Sequence, residues 1–121
     1  MACILIIDDE KSICEEFRGL LEDDGHQVDI ATSGQEAFRI VREKVFDLIF
    51  LDVLLPRMEG RQIFEELRKI NDKVSVVFMS GYLPPNKEKE VLELGAKACL
   101  RKPLDLEQVK KLIRTVTQGK S

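Results

Sequence analysis

A few ionisable side chains stand just after short apolar runs, where their types could do chemistry together. Asp8, Asp9 and Glu10 follow the run Ala2 to Ile7, and Asp52 closes most of the run Phe46 to Val53. Ser80 and Gly81 follow Val74 to Met79, and Lys102 with Pro103 follows Ala96 to Leu100. If those runs are parallel strands, these residues gather at the carboxyl edge of a sheet, where open α/β folds bind ligands. Asp8, Asp9 and Asp52 against Lys102 leave a local charge of −2, and like charges about 4 Å apart repel by ~4 kcal/mol at an effective dielectric of 20. A divalent cation relieves that repulsion. The ligands are hard oxygens with no His or Cys among them, which favours Mg2+ over zinc. A carboxylate left uncoordinated on one side can attack phosphorus, as in aspartyl-phosphate chemistry, with the amine and the hydroxyl receiving the phosphoryl oxygens. Singly, each residue has a plainer reading: Asp8 or Asp9 as a helix cap, Asp52 and Ser80 as turn residues, Lys102 as a solvated amine. Their coincidence at the ends of separate runs is what speaks for chemistry.

The elements that must position them alternate. Candidate strands are Ala2 to Ile7, Gln27 to Ala31, Phe46 to Val53, Val74 to Met79 and Ala96 to Leu100, separated by longer stretches of helical period, the pattern of βα units around a parallel sheet. The first, third and fourth are nearly continuous in Ile, Leu, Val and Phe, as strands covered on both faces must be. Ile13, Phe17, Leu20 and Leu21 mark one buried helix face, Ile63, Leu67 and Ile70 a second, and Leu106, Val109, Leu112, Ile113 and Val116 a third. Ser33 to Glu36 reads S-x-x-E, a capping box, Gly25 and Gly95 stand where left-handed residues end helices, and Asp105 is placed to cap the last helix.

The 121 residues fit one domain, 1–121, with 117–121 as a flexible tail. Nineteen basic against 22 acidic residues give a net charge of −3, which supplies no uniform positive field for nucleic acid phosphates. The apolar runs are far shorter than the ~20 residues of a membrane span, and no leader pattern opens the chain, so a cytoplasmic protein is expected. Cys3, Cys14 and Cys99 form no C-x-x-C pair and read as small buried hydrophobes. A flavodoxin-type cofactor binder would need a phosphate-cradling loop where Asp8-Asp9-Glu10 would repel the phosphate. A dehalogenase-type phosphatase would need an Asp at the position of Leu54. Neither G-x-G-x-x-G nor G-x-x-x-x-G-K-[ST] occurs.

Taken together, ILIIDDE at 4–10, D-x-x-L-P-x-x-x-G from Asp52 to Gly60, FMSG at 78–81, ELGA at 93–96 and LRKP at 100–103 resemble the receiver domain of bacterial two-component response regulators. The resemblance covers Cys3 to about Val116. It implies a flavodoxin-like, doubly wound five-stranded parallel sheet in order 2-1-3-4-5 with five helices. It makes Asp52 the phosphoacceptor, Asp9 a direct Mg2+ ligand, Asp8 a ligand acting largely through water, and the carbonyl of Leu54 a third protein contact to the metal. Ser80 matches the hydroxyl residue that senses the phosphoryl group. Lys102 matches the phosphate-pairing lysine, whose bond to the following proline is commonly cis. The implied partners are a sensor histidine kinase or phosphotransfer protein and a downstream protein or fused output domain, with neither direct nucleic acid nor membrane contact. The chain would be a switch that catalyses only its own phosphotransfer and dephosphorylation, not an enzyme on a separate substrate. Its readout would run through the loop Gly81 to Asn86 to the face of the fourth helix, fifth strand and fifth helix. The runner-up is an interaction module that works without phosphorylation.

Two departures qualify that resemblance. Cys99 occupies the position usually held by the aromatic switch residue, and Tyr82, two residues after Ser80, is the nearby aromatic that could shield the pocket mouth. With Leu54 it is expected to hinder attacking water; a slower dephosphorylation of the wild type than of Tyr82→Ala is the outcome that supports this, and equal rates refute it. Lys97-Ala98 stands where one subfamily carries an acidic pair that helps join receivers through their fourth and fifth helices, which speaks against that mode here, while a phosphorylation-dependent dimer stays among the partners the resemblance implies.

Overall fold

Strand β1 (Cys3–Ile7) is followed by α1 (Lys11–Asp23), β2 (Gln27–Ala31), α2 (Gly34–Glu43) and β3 (Leu48–Asp52). Short strands β4 (Leu54–Leu55) and β5 (Met58–Glu59) then precede α3 (Gly60–Ile70), β6 (Val76–Ser80), α4 (Pro85–Glu93), β7 (Ala98–Arg101) and α5 (Leu106–Thr117). The computed structural model describes residues 2–55, 58–81 and 85–117. Five parallel strands form the sheet in order β2-β1-β3-β6-β7, so the sheet strands run 2-1-3-4-5 in chain order, while β4 and β5 pair antiparallel outside it. That small ladder was not expected: at two residues a strand, it offers too little pattern to read.

The continuous apolar strands are central, as anticipated. All five residues of β3 and of β6 are buried. Their side chains alternate between two cores. Leu5, Ile7, Ile49, Leu51, Val76 and Phe78 face one side with Ala37, Phe38, Ile63, Phe64, Leu67 and Val91 of α2, α3 and α4. Ile4, Ile6, Leu48, Phe50, Val77 and Met79 face the other with Cys14, Phe17, Leu21, Val109 and Ile113 of α1 and α5.

Helix boundaries follow the local chemistry. Ser33 Oγ accepts the Glu36 N–H at 3.2 Å, while the Glu36 carboxylate accepts from the Thr32 N–H at 3.0 Å, one residue earlier than the ideal box. Gly25 (φ 89°) and Gly95 (φ 114°) both adopt the left-handed region. Each is the pivot of a helix end in which His26 N–H and Ala96 N–H reach back to the carbonyls of Leu21 and Val91. Asp105 caps α5 by accepting the Glu107 N–H at 2.9 Å.

Several expected bounds change. Phe46, Val74 and Ala96 are buried but lie outside the ladders; burial alone put them in the apolar runs. Ala96 instead completes the end of α4. Pro85 and Asn86 belong to α4 rather than to the loop, since proline at the first helical position loses no intrahelical bond. Thr117 belongs to α5, its Oγ1 donating to the Ile113 carbonyl at 2.8 Å, so it is not part of the tail expected over 117–121; 118–121 lie outside the described residues. Ile13 and Leu20 sit at helical spacing with Phe17 yet remain 42% and 45% exposed, because Cys14, Phe17 and Leu21 take the core-facing stripe.

Candidate functional site

Strand register assembles the site. Ile7 lies beside Leu51, which sets Asp8 and Asp52 one step further on neighbouring strands. Asp52 lies beside Met79, so Ser80 comes next along β6; Ser80 in turn lies beside Arg101, so Lys102 follows directly after β7. The Ser80 carbonyl accepts the Lys102 N–H at 2.8 Å, which ties the amine's backbone to the hydroxyl's strand.

Asp8 and Asp52 are buried (1% and 5% exposed), as is Ser80 (1%), while Asp9 is exposed. One carboxylate oxygen of each of Asp8, Asp9 and Asp52 lies within 4.8 Å of the others. Lys102 Nζ donates to Asp8 Oδ2 at 2.6 Å and to Asp52 Oδ2 at 3.0 Å. Burial by itself would lower the Lys102 pKa, but the hydrogen bonds and charges of Asp8 and Asp52 outweigh it, and the net shift is upward. The amine is therefore fully charged at neutral pH. Asp8 is further fixed by the Glu10 N–H, which donates to its Oδ1 at 3.1 Å. Glu10 is the N-cap of α1 and caps nothing with its side chain, so the acidic triplet does not serve as a conventional helix cap.

The donor set suits a hard divalent cation. Two buried carboxylates and an exposed one converge on a single small volume with one amine as counter-charge, and hydrated, oxygen-preferring ions take such sites. Leu54 lies at the same edge, in β4 opposite Glu59. Gly60 allows that edge to form: a β-carbon there would come within 2.9 Å of Val53 Cα and 3.2 Å of the Phe78 ring. The Lys102–Pro103 peptide is cis, as the resemblance implied. Tyr82 and Pro84 lie outside the described residues.

Cys99 is not brought to the cluster. It lies on β7 opposite Phe78 and packs half-buried against the α2–α4 core, where burial, reinforced by Glu88, pushes its thiol up to about 11. The residue overlooked by sequence reasoning is Cys14. Its thiol donates to the Asp8 carbonyl at 3.4 Å, and burial together with the Asp8 charge raises its pKa to about 11. It stays a protonated wedge under the first strand's end, and only its helical spacing from Phe17 and Leu21 could have placed it there. Beside the cluster lies an apolar cavity of about 320 Å3 lined by residues of α1 and α5, with Asp8, Lys102, Ile13, Leu20, Leu104 and Leu106 in its wall.

This arrangement agrees with comparison to known proteins. Residues 4–114 match the family model of the response regulator receiver domain. The transcriptional regulatory protein ZraR of Escherichia coli O157:H7 is 37% identical over 106 residues, which are 88% of this chain and 24% of that protein. DltR of Streptococcus agalactiae, also a transcriptional regulatory protein, is 29% identical over 98% of this chain and 53% of its own length. The chain thus spans about a quarter of the first and about half of the second. Among solved structures, a receiver domain from Clostridium thermocellum superposes with a TM-score of 0.92 at 31% identity, covering 99% of this chain and 97% of that one. The chemotaxis protein CheY4 of Vibrio cholerae gives 0.87 at 30%, covering 96% and 98%. The chain belongs to the response regulator receiver domain family of two-component systems. Its fold is that of the chemotaxis-type receivers, and its function is that of a phosphorylation-dependent signalling switch. No helix among the described residues is long and apolar enough to cross a membrane.

Proposed function

We propose that Asp52 accepts a phosphoryl group from a phosphohistidine on a sensor histidine kinase or phosphotransfer protein, with Mg2+ held by Asp8, Asp9, Asp52 and the carbonyl of Leu54. The observation that supports this most directly is Lys102 Nζ bridging Asp8 Oδ2 and Asp52 Oδ2 inside a three-carboxylate cluster. An Asp52 oxygen attacks phosphorus, the P–N bond of the phosphohistidine breaks, and its electron pair leaves with the imidazole. Bound Mg2+ would offset the negative charge of the incoming phosphoryl group. Lys102 sits 3.0 Å from the acceptor and can turn to a phosphoryl oxygen while remaining charged. Ser80, at the end of β6, offers its hydroxyl to another oxygen, and the segment after it leads into α4.

On this reading the chain modifies only itself and acts on no separate substrate. It works in the cytoplasm, where the phosphodonor is found. Ile13 and Leu20, exposed along the cavity that reaches Asp8 and Lys102, give that donor protein an apolar rim to dock on. The α4–β7–α5 face passes the signal to an output partner, either a separate protein or a domain fused to this one.

Intact-mass analysis after incubation with Mg2+ and acetyl phosphate tests the assignment. One phosphoryl adduct is expected on the wild type and none on Asp52→Asn. An adduct surviving on Asp52→Asn would move the acceptor elsewhere. No adduct on either, even with the cognate kinase, would favour a phosphorylation-independent interaction module.

A further inference from the structure

Helix α4 is the most thinly anchored helix of the fold. Val91 is its single buried residue, Leu92 points outward with 40% exposure, and the helix follows Ser80 after only a short connection. Its backbone packs on β7, and two arginines of α3 add side-chain contacts from the other side. Arg61 Nη1 pairs with Glu90 Oε1 at 2.5 Å, and its Nε is steadied by Glu65 Oε1 at 3.1 Å. Seven residues on, two turns along the same face of α3, Arg68 lies over the Phe64 ring at 5.4 Å. Its guanidinium fills the place that a side chain at Gly95 would need, a β-carbon there overlapping Arg68 Nη1. Gly95 is the left-handed residue that ends α4, beside its last carbonyls, and a cation at that end complements the helix dipole. One arginine thus grips a carboxylate in the body of α4, and the other covers the helix's negative end.

We propose that Arg61 and Arg68 form a two-point brace that fixes α4 to α3 and opposes the displacement of α4 when the Asp52 site is charged with a phosphoryl group. This rests on the phosphoacceptor reading of Asp52. A surface ion pair is individually weak, but a helix with one buried side chain, packed chiefly on β7, is held lightly enough for such contacts to count. The brace therefore sets the bias of the switch: any shift of α4 away from α3 must break the Arg61–Glu90 pair and draw Gly95 off the Arg68 guanidinium. By reciprocity, loosening the grips must tighten binding of a phosphoryl group that favours the shifted position.

The 121-residue chain carrying Arg61→Ala and Arg68→Ala together is compared with the wild type by amide hydrogen exchange and by titration with beryllofluoride in Mg2+, a mimic of the acyl phosphate. Exchange in residues 86–94 is expected to rise about threefold to tenfold, with β3 and β6 unchanged. The apparent Kd for beryllofluoride should fall about twofold to fivefold, an effect that general loosening of the structure would not produce. Should the double variant fail to fold, Glu90→Gln, which weakens one grip, is expected to move both readouts the same way by less. Unchanged exchange in α4, or faster exchange with an unaltered or weakened beryllofluoride titration, overturns the brace. A wild-type chain that binds no beryllofluoride sinks the phosphoacceptor reading instead, and exchange alone then decides whether the arginines hold α4.

Discussion

The two ends of the central parallel strands are built on opposite electrostatic plans. At the amino end, polar side chains meet backbone N–H groups. The Cys3 N–H donates to Asp47 Oδ2 at 2.9 Å, the Asp47 N–H to the Cys3 carbonyl at 2.8 Å, and the Ala2 N–H to His26 Nδ1 at 3.1 Å. At the carboxyl end, three carboxylates crowd together and two of them, Asp8 and Asp52, hold the same amine. The first plan satisfies backbone groups that the sheet leaves over, which is what stability requires. The second keeps like charges together, and only a ligand or a function explains its retention. Structure and activity are thereby assigned to opposite edges of one sheet.

That separation is most exposed to test by removing one charged group from each edge. Lys102→Ala takes away the amine that bridges Asp8 and Asp52 and a donor to the phosphoryl oxygens, and loss of one such donor costs about 10^2-fold to 10^3-fold in rate. Phosphorylation by acetyl phosphate should fall by about that factor while the protein stays folded. Asp47→Ala leaves the Cys3 N–H without its acceptor and should cost about 1 to 3 kcal/mol of stability in urea unfolding, with the phosphorylation rate of the folded protein unchanged. A Lys102→Ala protein that phosphorylates normally, or an Asp47→Ala protein that loses activity without losing stability, would break the division between the edges.

The same contrast explains what could be read from the chain before any coordinates. The carboxyl edge was legible because Asp8, Asp9, Asp52 and Ser80 stand at the ends of strongly apolar runs and Lys102 follows a weaker one, so the strand pattern and the chemistry mark the same positions. Sheet order came with the family resemblance, since the apolar runs alone do not say which strands are neighbours. The amino edge was not legible: Asp47 and His26 are polar residues in connections, and nothing in their types or spacing foretells that each accepts a backbone N–H from β1 or just before it. Arg61 and Arg68 escaped notice for a similar reason, because charged residues on a helix face ordinarily point into water and their neighbours, Glu90 in α4 and Gly95 just after it, are distant in sequence. Ile13 and Leu20 were misassigned as buried because helical spacing alone does not show how wide a stripe the sheet covers.

The smallest expected effect sharpens the comparison from the amino edge. His26 is half-buried, and its Nδ1 must be unprotonated to accept the Ala2 N–H. Burial lowers its pKa below the usual 6.5. The unfolded chain therefore binds the proton more readily than the folded one, so the stability His26 contributes is present above pH 6.5 and is lost as the pH falls below it. The loss is bounded by about one hydrogen bond, on the order of 1 kcal/mol. His26→Asn offers an acceptor that does not titrate, while every carboxylate, including those of the Asp52 cluster, is common to both proteins. Between pH 7.5 and 5.5 the wild type should thus lose more stability than His26→Asn. Parallel urea midpoints over that range would show that the imidazole does not close the amino edge, and that the pairing there is less complete than its geometry indicates.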